Sequence, residues 1–121
     1  MGVYVSVRGW LECDEKQFAA AQEIISSHED GHYSSGWSTP RRQANWTHYL
    51  FYGADIRESA LEWLAQQVTE IARIPASDDD GDLVRGLLLS RHEVQGTTEW
   101  QVRDGRLVLS PADARHRYLD A

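Results

Sequence analysis

Leu83–Ser110, LVRGLLLSRHEVQGTTEWQVRDGRLVLS, decides the fold. Three runs within it, Leu83–Val94, Thr98–Arg103 and Arg106–Ser110, are separated by Gln95-Gly96 and Asp104-Gly105. Asp-Gly between alternating runs is a strong hairpin signal, because both central positions of a two-residue turn take positive φ. The segment therefore predicts a meander of three antiparallel strands. Such a sheet needs a layer of apolar side chains over at least one face, and that layer has to come from upstream of Leu83.

Upstream, strands and helices alternate. Val3–Glu12 places Val3, Val5 and Val7 on one side and Tyr4, Ser6 and Arg8 on the other, the pattern of a half-buried strand. Asp14, followed three residues later by Gln17, forms a capping box that opens a helix. Phe18, Ala21, Ile24 and Ile25 make its apolar stripe, and His28–Gly31 ends it. The aromatic-rich Trp46–Tyr52 reads as a central strand closed by Gly53. Asp55 with Glu58 repeats the capping box, predicting a helix over 57–73 with Leu61, Leu64, Val68 and Ile71 along one face. Ile74-Pro75 stops that helix.

The resulting order, β-α-β-α-β-β-β, predicts a single α+β domain over residues 1–121. It is a two-layer sandwich: a mostly antiparallel five-stranded sheet with two helices on one face, the other face partly open. The charged tail over 111–121 has Tyr118 and Leu119 as candidate anchors.

Composition narrows function. With 121 residues, 41% hydrophobic and 26% charged, the chain can bury a core without disulfides or metals. A formal charge of −7 argues against nucleic-acid binding and suits steering toward a basic partner. Cys13 is the single cysteine, so no internal disulfide forms and a reducing compartment is expected. No run matches a secretory signal or a membrane span, so the expected location is cytoplasmic, with no membrane partner. Five tryptophans exceed what so small a core holds centrally, which predicts at least one on a functional surface.

The segment over 26–45, SSHEDGHYSSGWSTPRRQAN, has no apolar periodicity, and a loop of that length inside a small domain points to function. Tyr33 and Trp37 are its aromatic anchors, with acidic Glu29 and Asp30 nearby. A second acidic group, Asp78, Asp79, Asp80 and Asp82, precedes the meander. These eight residues are the candidate partner-binding set.

Chemistry-bearing constellations are weaker. His28, Asp30, His32, His48 and Cys13 match no metal-ligand spacing, so no metal or cofactor is expected. Asp78–Asp82 fails the EF-hand pattern, with glycine fourth and Leu89 twelfth. A Cys13 nucleophile with His48 as base and Asp55 or Glu99 as orienter is opposed by the adjacent anions Glu12 and Asp14. Glu93 and Glu99 read as charged hairpin ends rather than a catalytic pair.

Three passages carry a resemblance: Val5-Ser6-Val7-Arg8-Gly9-Trp10, Tyr49-Leu50-Phe51-Tyr52-Gly53-Ala54-Asp55-Ile56-Arg57-Glu58-Ser59, and Glu99-Trp100-Gln101-Val102-Arg103-Asp104-Gly105. Together they cover 24 of the 121 residues, about a fifth of the chain. The chain resembles the small acidic immunity proteins of bacterial polymorphic toxin systems. The resemblance implies a cytoplasmic, non-enzymatic inhibitor that holds a toxin through a protein–protein interface, and it transfers no site residues. The competing expectation is a small enzyme or metabolite-binding domain, with the 26–45 loop as a lid over His32, His48 and Cys13.

Overall fold

The computed structural model describes residues 2–43 and 45–120. Met1, Ala44 and Ala121 belong to the expected domain, loop and tail, and lie outside the described residues. The elements run β1 (Tyr4–Cys13), α1 (Glu15–Ser27), β2 (Trp37–Ser38), β3 (His48–Arg57), α2 (Leu61–Ala72), β4 (Arg85–His92), β5 (Gly96–Arg103) and β6 (Arg106–Pro111). All strands join one antiparallel sheet in the order β2-β3-β1-β4-β5-β6. The class is α+β, as expected, with six strands where five were predicted. The sixth is β2, supplied by the long loop, which pairs Trp37 with Tyr52 and Ser38 with Phe51.

The meander forms as its turns require. Asp104 and Gly105 sit at φ 54° and 75°, the positive pair that a type I′ turn needs. Upstream, Asp14 caps α1 with both arms of its box: Gln17 N–H donates to the Asp14 carboxylate at 2.8 Å, and Asp14 N–H donates to Gln17 Oε1 at 3.0 Å. The second box does not form. β3 runs past Gly53 and pairs with β1 as far as Arg57, because Tyr4–Leu11 offers a continuous partner. Asp55 therefore lies in the strand and accepts the Ser6 hydroxyl at 2.5 Å, while Glu58 pairs with His92. A 3-10 turn at Glu58–Ala60 leads into α2, which starts at Leu61.

One face of the sheet carries the core. Val5, Val7 and Leu11 of β1, Leu50, Tyr52 and Ile56 of β3, Leu88 of β4, and Trp100 and Val102 of β5 pack against Ala21 of α1 and Leu64, Val68 and Ile71 of α2. Complete removal of an aliphatic side chain from water contributes about 1.5–3 kcal/mol, so this one face supplies most of the driving force. Gly9 and Gly86 let β1 and β4 approach closely: a Cβ at Gly9 would lie 2.1 Å from the Leu87 carbonyl oxygen, and one at Gly86 would lie 2.1 Å from that of Trp10.

The opposite face is only partly covered. Arg8 and Arg91 donate from it to the backbone carbonyls of Leu119 and Asp120, and Thr97 bonds the Asp120 carboxylate. The tail is thus held at the Arg8 end through main-chain carbonyls. Tyr118, one of the two expected anchors, is exposed, and Leu119 is half-buried. Among the described residues, no helix is long and apolar enough to cross a membrane.

Candidate functional site

The five tryptophans fall into two groups. Trp37, Trp63 and Trp100 face inward, and each indole N–H finds an internal acceptor: Gln67 Oε1 at 3.2 Å, the His28 carbonyl at 2.9 Å and Ser90 Oγ at 2.8 Å. An indole can be buried this way without stranding its donor. Trp10 and Trp46 stay outside, 37% and 81% exposed. Trp10 is placed outward by strand alternation, in register with Phe51 on β3 and Leu87 on β4. Tyr49 and Phe51 stack with ring centroids 6.2 Å apart, so aromatic surface continues across β3.

Two depressions flank this face. The first is a cleft of about 530 Å³ where the end of β1, the start of α1 and the segment before β4 meet. Trp46 stands on its rim, and its lining includes Glu12, Asp14, Asp78, Asp80, Asp82 and Asp104 against Arg85 and Arg103. Six carboxylates against two guanidinium groups leave a formal charge of −4. The second is a shallower groove of about 340 Å³ walled by Trp10, Leu87 and Gln101. Glu12, Arg85 and Arg103 line both, so the two share a wall. Arg85 Nε donates to Glu12 at 2.7 Å, and Arg103 donates to Asp104 at 2.9 Å. No ion pair reaches Asp78, Asp80 or Asp82 among the described residues.

Gln17 holds the cleft in shape. It is buried, and its Nε2 donates to the Asp82 carbonyl at 2.9 Å and the Pro75 carbonyl at 3.4 Å. Ser77 also bonds the Asp14 carboxylate. Partial desolvation would raise the Asp14 pKa. Hydrogen bonds from Gln17 N–H, the Ser77 hydroxyl and Lys16 N–H outweigh it and move the pKa down, so this carboxylate stays ionised. The capping box that starts α1 therefore also fastens the acidic segment to it.

The eight expected residues do not form one site. Asp78, Asp80 and Asp82 line the cleft, and Asp79 is exposed in the same segment. Glu29 and Asp30 lie beyond the other end of α1, whose 13 residues span roughly 20 Å at about 1.5 Å each. Asp30 organises its own loop, accepting the N–H groups of His32, Tyr33 and Ser34 at 2.9, 3.2 and 2.9 Å. Desolvation works to raise its pKa, but these bonds and the Ser34 hydroxyl override it and bring the pKa down to about 2.

Tyr33 and Trp37, expected as free anchors, are half-buried against the core. The Tyr33 carbonyl accepts the Tyr52 hydroxyl at 2.9 Å, its own hydroxyl accepts Arg57 N–H at 3.3 Å, and Trp37 packs edge-on to Tyr52 at 5.0 Å. The long loop thus closes the β3 edge. Gln43 extends that closure, exchanging two hydrogen bonds with the Tyr49 backbone.

Cys13 and His48 are direct partners across β1 and β3, whereas His28 pairs with Glu70 and His32 packs at a tilt against Tyr33 past the far end of α1. Burial first, then Asp14 and Glu12, push the Cys13 thiol up to about 12, which leaves it protonated and poorly nucleophilic at neutral pH. No group of three or more His, Cys, Asp or Glu gathers at metal-holding distance among the described residues.

The sequence points to a partly open sheet face and at least one surface tryptophan, but it does not join Trp10, Tyr49 and Phe51 into one surface. The signal was present: each sits at an outward position of a strand whose alternate residues are core. The chain matches no protein-family model, no curated protein and no solved structure.

Proposed function

We propose that this chain is a non-enzymatic protein-binding inhibitor, most like an immunity protein, that acts in the cytoplasm by covering a basic surface of a toxin-like partner. The observation supporting this reading is the position of the two exposed indoles, Trp10 and Trp46, on either side of the Glu12–Arg85 ion pair. Tryptophan is the side chain most enriched at interface hot spots. The surrounding carboxylates speed encounter with a cationic partner and occupy the place an anionic substrate would take. Asp78, Asp80 and Asp82 keep their expected role, while the anchors move from Tyr33 and Trp37 to Trp10 and Trp46.

The test is capture of a basic partner from the native host, followed by titration of its activity with wild-type chain, Trp10→Ala and Trp46→Ala. The expected result is stoichiometric inhibition by wild type and at least tenfold weaker binding for each variant, about 1.4 kcal/mol or more. A bound partner that remains fully active, or two variants that bind like wild type, would refute it.

A further inference from the structure

Resting on that reading of the site, we infer that the Trp10 groove and the acidic cleft together receive one extended basic segment of the partner protein. An aliphatic or aromatic side chain enters the groove, and arginines or lysines two to four positions away reach Asp78, Asp80 and Asp82. The spacing follows from β1. Trp10, Glu12 and Asp14 succeed one another at alternate positions, so at about 3.4 Å per residue Glu12 lies about 7 Å and Asp14 about 14 Å along from Trp10. An extended peptide covers that reach in two to four residues. Glu12, Arg85 and Arg103, which line both, form the wall between groove and cleft that the segment would cross.

Charge selects the occupant. Asp78, Asp80 and Asp82 have no ion-pair partner among the described residues, the cleft lining is −4 and the chain as a whole is −7, so phosphate backbones are repelled. A second copy of this chain is a poor fit: two-fold pairing sets a patch against itself, here one acidic cleft against its equivalent. A segment combining an apolar anchor with cations satisfies both halves of the surface at once.

The five indole N–H resonances of the 15N-labelled chain read the outcome. The probe is a blocked hexapeptide with leucine second and arginines fourth and sixth, glycine elsewhere. The Trp10 and Trp46 resonances should shift together with one dissociation constant, while Trp37, Trp63 and Trp100 stay in place. Exchanging leucine for glycine should weaken binding at least threefold, and exchanging both arginines for glutamate at least tenfold. In Asp80→Asn/Asp82→Asn, which keeps the Asp82 main-chain bond to Gln17, the arginine preference should fall at least threefold.

Movement of Trp46 alone, equal binding of the glycine-for-leucine peptide, a Trp10 shift caused by oligothymidylate, or a Trp10 shift on diluting the protein by itself would each overturn the inference. The two proposals fail separately. If Trp10→Ala and Trp46→Ala weaken the intact partner but the peptides are not discriminated, the segment assignment falls and the inhibitor reading stands. If the peptides are discriminated while the partner ignores both variants, the inhibitor reading falls and the groove assignment stands.

Discussion

Replacing Gln17 with leucine removes a side chain that links local helix capping to the shape of the acidic cleft. The glutamine is 2% exposed. Its Oε1 serves Asp14 N–H, and its Nε2 serves the Asp82 carbonyl at 2.9 Å and, at a longer 3.4 Å, that of Pro75. Leucine fills nearly the same volume and recovers some apolar burial, but it leaves the Asp82 carbonyl, whose bond to Gln17 is part-buried, and a capping N–H without a partner. An unsatisfied buried group costs about 1–3 kcal/mol. Asp14 N–H lies near the cleft and can reach water, so we expect a net loss of about 2–3 kcal/mol, most of it from the Asp82 carbonyl. For a domain of this size that lowers Tm by roughly 6–15 °C.

Urea denaturation gives the free energy, and hydrogen exchange over residues 76–82 shows whether the acidic segment loosens with it. The companion variant Gln17→Glu fixes the mechanism. One carboxylate oxygen can still accept Asp14 N–H, but the other faces two carbonyl oxygens, so the folded-state pKa rises above the unfolded value. Stability is then fully present below the unfolded glutamate pKa, about 4.3, and is lost as pH climbs through the raised folded value. Gln17→Glu should match wild type most closely near pH 4 and fall behind by pH 7. A Gln17→Leu loss under about 0.5 kcal/mol, or a Gln17→Glu deficit that does not grow with pH, would refute this account of the cleft.

Gly86→Ala should destabilise by more than about 2 kcal/mol in urea titration, because its Cβ would meet the Trp10 carbonyl oxygen at 2.1 Å and backbone cannot rotate away; a near-neutral result would show that β1 and β4 separate easily. Cys13, with its thiol pushed up to about 12, should resist iodoacetamide at pH 8 in the folded chain and react promptly in denaturant. Fast native alkylation would revive the thiol chemistry. Asp30 is held down to about 2, so its contribution is present above the unfolded aspartate value and is lost as pH falls through about 2. The Tm gap between wild type and Asp30→Asn should therefore close between about pH 4 and pH 2, and a gap unchanged across that window would contradict it.

How much of this was legible beforehand depended on the range of the interactions. The Asp14–Gln17 box, the Asp104-Gly105 turn and the Leu64–Val68–Ile71 stripe are set within a few residues, and each formed as its local chemistry dictates. The Asp55–Glu58 box has equally good local chemistry but lost to long-range pairing: β1 is ten residues long and holds β3 extended to Arg57. Long-range contacts also decide the loop over 26–45. Its lack of periodicity points to function but is silent on position, and Tyr33 and Trp37 bind the Tyr52 side chain and backbone of a strand formed later in the chain. The candidate site was half visible. Asp78, Asp80 and Asp82 announce themselves by charge, but that Trp10 joins them depends on sheet register, which no local pattern encodes.

The acidic cluster by itself has an adequate structural explanation. Asp14 caps α1, and the neighbouring carboxylates lie near a helix N-terminus, where the macrodipole favours negative charge by about 0.3–1 kcal/mol each. A fold can accumulate such residues with no partner in view. The exposed indole has no comparable explanation. An unburied tryptophan forgoes the stabilisation its large apolar area would bring, and Trp46 is 81% exposed on the rim of a cleft where no described side chain covers it. Trp10 lies two residues along β1 from Arg8, where the tail is held, and stays 37% exposed with its N–H donating to Glu12 at 3.2 Å. The two outward indoles, 37% and 81% exposed, therefore support the proposed interface more strongly than the charge does.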